Sequence, residues 1–530
     1  NDAVCEGCGD CSIKSNCLSV VPKETELGRK RQIDQSSCNK DYSCANGFCP
    51  SFVSVIGGRL RKPDGAGDAV DTLFDPLPEP VLPSLDKPWN TVVTGVGGTG
   101  VLTITALVAM AAHIEGKGCA TMNQTGLAQK FGAVVSHVRV SASQDDIKAV
   151  RIPAGEADLL LGCDLVVTAT YEALGKVALG RTHAVVNDAE VPTSAFILDP
   201  DARFPTASMK AKVRDEAGES ATFFIDATRI ATQLLGDSIG SNLFLLGYAW
   251  QQGLVPVSAA ALDEAIELNG VAVTFNKEAF LWGRRCAHQP ERVRALVDEL
   301  APPAPARLQR LEDIVADRCA RLTAYQNTAY AEQYRQEVER VRAADPRAGE
   351  TDSLSLAVAR NLFKLMAIKD EYEVARLYSD GEFLRKLERQ FEGDYELRVN
   401  LAPPLFSKRD PNTGHLIKRE FGPWMLRAFG VLARLRFLRG SVLDVFNRTE
   451  ERRLERLDLA EYLALLEQLL PALNGDNYAV VLELARLPAE LRGFGHVKDR
   501  NRELLALHRA ELMREFQGET ATPIMAVNVA

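Results

Sequence analysis

TVVTGVGGTGVLTITALVAMAA, residues 91–112, decides the fold. A β-branched run enters a loop holding Gly95, Gly97, Gly98 and Gly100, and an apolar helical stretch leaves it. This satisfies G-x-G-x-x-G between a strand and a helix, where glycines permit a tight turn and close helix–strand approach. Downstream, SHVRVSA (136–142), CDLVVTA (163–169), THAVVND (182–188) and TFFIDA (222–227) read as further strands. SNLFLLGYAWQQG (241–253) and SAAALDEAIELNG (258–270) read as helices, each ended by Gly. Such alternation predicts a doubly wound α/β domain over 91–283, its mostly parallel sheet covered on both faces.

The glycine loop leaves its ligand open. A dinucleotide site also needs an acid about 20 residues further on, at the tip of the second strand. Here that strand is GCATMNQTG (118–126), whose tip offers Asn123 and Gln124, and Glu115 precedes it. The competing readings are tight strand–helix packing and a cradle for another phosphate-bearing group. The helix N-terminus remains an anion site.

Outside this domain the composition changes. Residues 1–62 are rich in cysteine, and 63–90 form a Pro/Gly/Asp-rich linker. A second linker, 284–306, contains APPAPA (301–306). Residues 307–520 read as a mainly helical domain, interrupted by LAPPLFSKRDPNTG (401–414). In DSLSLAVARNLFKLMAIKDEYEVARLY (352–378), Leu354, Val358, Leu362 and Leu365 recur at helical spacing. RRLERLDLAEYLALLEQLLPAL (452–473) has a similar pattern.

Seven of the 11 cysteines fall between Cys5 and Cys49. Cys5, Cys8 and Cys11 form C-x2-C-x2-C; Cys17, Cys38 and Cys44 follow, then Cys49 before Pro50. Three thiolates at this interval can wrap three corners of a cubane, and a remote Cys-Pro supplies the fourth, as in bacterial ferredoxins. Zinc sites more often pair two C-x2-C units, and cytosolic chains avoid disulfides. The spacing therefore points to a [4Fe–4S] cluster on Cys5, Cys8, Cys11 and Cys49, with Cys17 as the competing fourth ligand. Cys17, Cys38 and Cys44 are alternates or an incomplete second set, so one cluster or two remain open. GRKR (28–31) reads as a solvated loop or as a landing patch for an acidic electron carrier.

Other features exclude more than they assign. The 530 residues suit about three domains. A hydrophobic fraction of 46% and a charged fraction of 25% are ordinary for globular protein. Net charge −9 and pI near 5.5 argue against nucleic-acid binding. No run reaches the roughly 18 apolar residues of a membrane span, and the start has no basic or apolar leader. No membrane association and a cytoplasmic location are expected. The missing initiator Met points to a processed or partial chain. His137 reads as a satisfied core or interface residue, and His496 as part of a turn or an anion or substrate contact. Cys119, Cys163, Cys286 and Cys319 read as buried packers. The Gly-Asp-Gly signature of thiamine diphosphate sites does not occur.

VCEGCGDCSIKSNC (4–17), GRKRQIDQSSCNKDYSCANGFCPSF (28–52) and GVGGTGVLTITALVAMAA with GLAQKFGAVVSHVRV (126–140) resemble the indolepyruvate ferredoxin oxidoreductases. These belong to the 2-oxoacid:ferredoxin oxidoreductases. The resemblance covers nearly the whole chain, as the C-terminal half of a large fused bacterial member. It implies a ferredoxin-like iron–sulfur segment, a gamma-type domain, and a helical C-terminal domain of undefined function. Such enzymes oxidatively decarboxylate a 2-oxoacid on thiamine diphosphate and pass electrons through iron–sulfur clusters to ferredoxin, releasing an acyl-CoA. Thiamine diphosphate is then expected only in the N-terminal half that precedes this segment. Ferredoxin, that other half, CoA and an arylpyruvate are the implied partners and substrates, in a homo-oligomer. Many gamma chains carry Arg-Gly-Gly where this one has Lys130-Phe131-Gly132. The rival readings are an NAD- or flavin-dependent oxidoreductase with a ferredoxin module, and a non-catalytic iron–sulfur scaffold.

Overall fold

The computed structural model describes residues 1–61, 73–126, 132–191, 193–300, 307–403 and 407–519. They form two compact units. One joins Asn1–Ile33 and Lys40–Leu60 to the carboxy-terminal part of the chain; the other comprises Asp34–Asn39 and Arg61–Ala304.

The cysteine-rich stretch consists of short elements. Helix α1 is Asp10–Ser15. Strands β1 (Val20–Lys23) and β2 (Lys30–Ile33) form an antiparallel ribbon. Strands β3 (Val53–Ile56) and β4 (Arg59–Leu60) follow.

The α/β unit begins with β5 (Trp89–Val96), which runs through the glycine loop into α2 (Val101–Ile114). Then come β6 (Gly118–Thr125), β7 (Ala133–Ser141), β8 (Leu159–Gly162), α3 (Leu165–Thr168), β9 (His183–Asn187) and β10 (Thr222–Ile225). The sheet order is β10-β9-β8-β5-β7-β6. Alternation along the strands gives each face its own core. Val93, Leu159, Leu161 and Val185 pack with α2 and with helices 241–251 and 273–288. Val92, Leu160, Ala184 and Val186 pack with Leu165, Val213 and Ala217. This is the doubly wound α/β arrangement.

Two strand expectations need correction. CDLVVTA is not a strand. The strand is the fully buried Leu159–Gly162 just before it. Asp164 then accepts from the Val167 N–H at 2.8 Å and caps the helical turn α3. That cap outweighs the strand preference of the β-branched run. The sheet is also mixed: β10, β9, β8 and β5 are parallel, but β7 is antiparallel to both β5 and β6. Only seven residues lie between Thr125 and Ala133. A parallel crossover takes a dozen or more, so the chain reverses instead. GCATMNQTG is therefore an edge strand that never lies beside β5.

In the carboxy-terminal part, α4 (Ser353–Met366) and α5 (Glu371–Ser379) split the long helical pattern at Asp370, whose side chain caps α5. Strands β11 (Phe391–Glu392), β12 (Glu396–Leu401) and β13 (Arg419–Phe421) follow. Helices α6 (Glu450–Leu469) and α7 (His496–Phe516) come after them. The α4 stripe of Leu354, Val358, Leu362 and Leu365 is buried against Tyr462, Leu466 and Leu469 of α6. The interruption contains more than a loop. β12 pairs with both β13 and β3, and β11 pairs with β4, so strands from both ends of the chain share two small sheets. Val4 joins Val374, Tyr378, Val399 and Phe429 in one core. Among the described residues no helix is long and apolar enough to cross a membrane.

Candidate iron–sulfur site and glycine loop

Cys5, Cys8, Cys11 and Cys49 lie within electrostatic range of one another. Burial first, then the neighbouring Cys49 and Cys5 thiols, push Cys8 up to about 12. Burial drives Cys11 well above the usual thiol value, and Cys49, Cys8 and Cys5 add to it. Burial likewise raises Cys49, with Lys418 and Ser51 opposing. Three thiols, Cys8, Cys11 and Cys49, whose burial opposes ionisation would release their protons on meeting a cationic metal group. Among the described residues no three His, Cys, Asp or Glu side chains close on one point as they would around a single ion. The corners of a cubane stand wider apart than that.

The backbone fits a thiolate-bound cluster. The Gly7 N–H donates to Cys5 Sγ at 3.3 Å, and the Asp10 N–H donates to Cys8 Sγ. Ser51 Oγ lies 3.0 Å from Cys49 Sγ. Ser12 Oγ, next to Cys11, is fully buried and has no partner among the described residues, leaving a donor for a cluster sulfide. Gly7 has φ +70°, and a Cβ there would meet Arg29 O at 2.2 Å. Gly47 brings the second turn onto the first: a Cβ there would lie 2.7–2.9 Å from Cys11 atoms. The buried Asp10 carboxylate accepts the Phe48 N–H at 2.7 Å and ties the same two turns.

The other thiols sit differently. Cys17 is half-buried just beyond α1, and Cys44 is half-buried in the 3-10 turn Ser43–Asn46. Cys38 belongs to Asp34–Asn39, in the other unit. Neither reading of GRKR holds for its last two residues. Lys30 and Arg31 are buried in β2, and burial lowers Lys30 to about 8.

Residues far along the chain also reach the site, and no sequence motif marks them. Lys418 Nζ donates to the carbonyls of Ala45 and Gly47, both at 2.7 Å. Tyr378 donates to Pro50 O at 2.7 Å, and Lys369 to Cys5 O at 3.1 Å. A cavity of about 910 Å³ opens here, with Cys49, Phe48, Lys418 and Trp424 in its wall. His496 lines it as well, at the start of α7. It stacks on His415 with ring centroids 3.7 Å apart, and burial lowers its pKa.

In the α/β unit the glycine loop is used for packing. A Cβ at Gly95 would meet Val101 Cγ2 at 2.7 Å and Cys163 Cβ at 2.9 Å. Gly98 and Gly100 take φ of +87° and +95°. The Val96 N–H donates to Asp164 Oδ2 at 2.5 Å, and the Gly97 N–H to Gly132 O at 2.7 Å. Two amides that could cradle a phosphate are thus spent internally. Burial raises the Asp164 pKa. Lys130 and Phe131 lie outside the described residues. Cys163 and Cys286 are buried as expected, whereas Cys119 and Cys319 are only partly so.

His137 is a satisfied core residue. Its Nδ1 accepts from the Ile152 N–H at 3.1 Å, and its Nε2 faces Gln124 Oε1 at 3.3 Å. Burial, with Lys176 and Arg151, lowers its pKa to about 4. The unfolded chain binds the proton first, so this stabilisation is complete above pH 6.5 and is lost as pH falls through about 4. The difference is worth about 3 kcal/mol. Urea midpoints measured from pH 7 to 4 should fall less steeply for His137→Gln than for the wild type; parallel curves would refute this.

Comparison with known proteins bears on this layout. Residues 90–286 match the family described as pyruvate ferredoxin/flavodoxin oxidoreductase, and 311–511 match a family of unknown function (DUF6537). The indolepyruvate oxidoreductase subunit IorB of Pyrococcus horikoshii is 30% identical over 206 residues, 38% of this chain and 98% of that protein. IorB of Thermococcus kodakarensis is 29% identical over the same shares. The crystal structure of pyruvate oxidoreductase subunit PORC from Thermotoga maritima is 18% identical, with TM-score 0.27, covering 38% of this chain and 96% of that one. On its IorB-like domain, the chain belongs to the 2-oxoacid:ferredoxin oxidoreductase family of oxidoreductases.

Proposed function

We propose that this chain is the electron-relay and gamma portion of an arylpyruvate:ferredoxin oxidoreductase, with indolepyruvate the favoured substrate. The whole reaction converts a 2-oxoacid, CoA and two oxidised ferredoxins to acyl-CoA, CO2, two reduced ferredoxins and a proton. Thiamine chemistry is assigned to the companion half of the enzyme. The observation that carries the reading is the gathering of Cys5, Cys8, Cys11 and Cys49 around amide donors from Gly7 and Asp10. A bound [4Fe–4S] cluster supplies one-electron storage, so that an electron pair leaves singly. The thiolates would hold it, the amides and Ser51 would stabilise sulfur charge, and Gly47 would keep the two ligand turns in contact. Residues 91–283 serve as the gamma domain, with Gly95, Gly97, Gly98 and Gly100 shaping its loop.

Anaerobic reconstitution followed by iron and sulfide analysis, with EPR of the dithionite-reduced protein, tests the cluster. Four irons and four sulfides per chain with a reducible signal are expected. Stoichiometric zinc without such a signal would overturn the proposal.

A further inference from the structure

We infer that the carboxy-terminal domain of unknown function completes the iron–sulfur site, and that its Lys418 positions and electrostatically tunes the cluster. The inference rests on the proposed [4Fe–4S] assignment. Four observations in this one unit lead to it. The domain supplies β12, the central strand between β3 and β13. Its Tyr378 hydroxyl holds the carbonyl of Pro50, the residue after Cys49. Its Lys418 ammonium bridges two carbonyls in the turn that leads to Cys49, and that turn abuts Cys11 through Gly47. Among the described residues Lys418 has no ion pair with a carboxylate, it lines the same cavity as Cys49, and its attraction runs to Cys49, Cys11, Asp10 and Cys44 in that order. Lys369, another cation nearby, is paired with Glu6 at 2.5 Å.

A cluster held by four thiolates is anionic, and reduction adds a further negative charge. A fixed cation beside it favours the reduced form and raises the potential. Lys418 is suited to this because no carboxylate pairs with it directly; it sits in the field of the buried Asp10 as well as of the thiols. Its two short hydrogen bonds fix the charge in position, and in holding Ala45 and Gly47 they also set the approach of Cys49. The domain therefore acts as the second half of an electron-transfer module.

EPR-monitored redox titration of the full reconstituted chain tests this. Lys418→Gln keeps a donor for the carbonyls but removes the charge; Lys418→Arg keeps both. The expected result is a lower midpoint for Lys418→Gln, with the reduced-to-oxidised ratio at the wild-type midpoint falling about tenfold, or 59 mV for one electron. Lys418→Arg should stay at the wild-type value. A fully loaded Lys418→Gln protein that titrates like wild type would overturn the tuning role. Folded Gln and Arg variants that both fail to load iron would also overturn it, because charge would then not be the deciding property. If the wild type binds no cluster, the functional proposal fails first and this inference fails with it.

Discussion

Cys49→Ser is expected to abolish the reducible four-iron EPR signal, whereas Cys17→Ser leaves it in place. Spacing alone left the two thiols in competition for the fourth corner. The structure separates them by surroundings. Cys49 raises the pKa of Cys8 and of Cys11, more than either Cys5 or any other thiol does. It is held by Ser51 beside it, by Tyr378 on Pro50 and by Lys418 on the turn before it. Cys17 follows the helix that carries Cys11 and figures in none of these effects. A serine oxygen is a harder ligand than a thiolate and suits iron–sulfur clusters poorly, so losing one corner should leave at most a degraded cluster. Iron and sulfide analysis beside the EPR measurement distinguishes loss from conversion. An unchanged Cys49→Ser signal, with loss in Cys17→Ser, would move the fourth corner to Cys17.

The parts of this layout that were legible in sequence are those set by local periodicity. The stripe Leu354, Val358, Leu362 and Leu365 is a repeat within one helix, and it is buried as one face. C-x2-C-x2-C is a local pattern too, and its loop needs only Gly7 and Gly9 at positive φ to form. What escaped depends on pairing at long range. Lys418 lies hundreds of residues from Cys49, and nothing in LIKREFG (416–422) marks it as a neighbour. Lys30 and Arg31 look solvated by composition, but β2 carries them into the interior, where Glu6 helps to balance Lys30. The mixed sheet was missed for a related reason. Strand tendency is visible in GCATMNQTG, but the short reversal that places β7 between it and β5 concerns connection length, not residue preference. That reversal also explains why the missing ribose acid was a weak discriminator. In this sheet the strand that would carry it is not next to the glycine loop, and the internal use of the Val96 and Gly97 amides is the stronger observation.

Gly283→Ala should destabilise the α/β unit by about 3 kcal/mol or more, at or above the top of the range for overpacking a core. Helices 241–251 and 273–288 meet backbone to backbone. A Cβ at Gly283 would lie 1.9 Å from Phe244 O, and one at Gly247 would lie 2.0 Å from Phe280 O. These contacts are with main-chain atoms, which cannot swing aside as a side-chain tip can. The helices must separate, and Phe244, Trp250 and Phe280 in the core beneath them must then repack. In an exposed helix the same substitution gains roughly 0.5–1 kcal/mol from backbone entropy, too little to offset the clash. Gly430, in helix 424–434, provides that contrast. A Cβ there meets nothing within 4 Å, so Gly430→Ala should be neutral or stabilising. Trp89, Trp250 and Trp282 lie in the α/β unit and Trp424 does not, so tryptophan fluorescence during urea unfolding reports chiefly on the affected part. A Gly283→Ala midpoint equal to that of wild type would mean that the two helices can separate at little cost, and that the close crossing does not hold this core together.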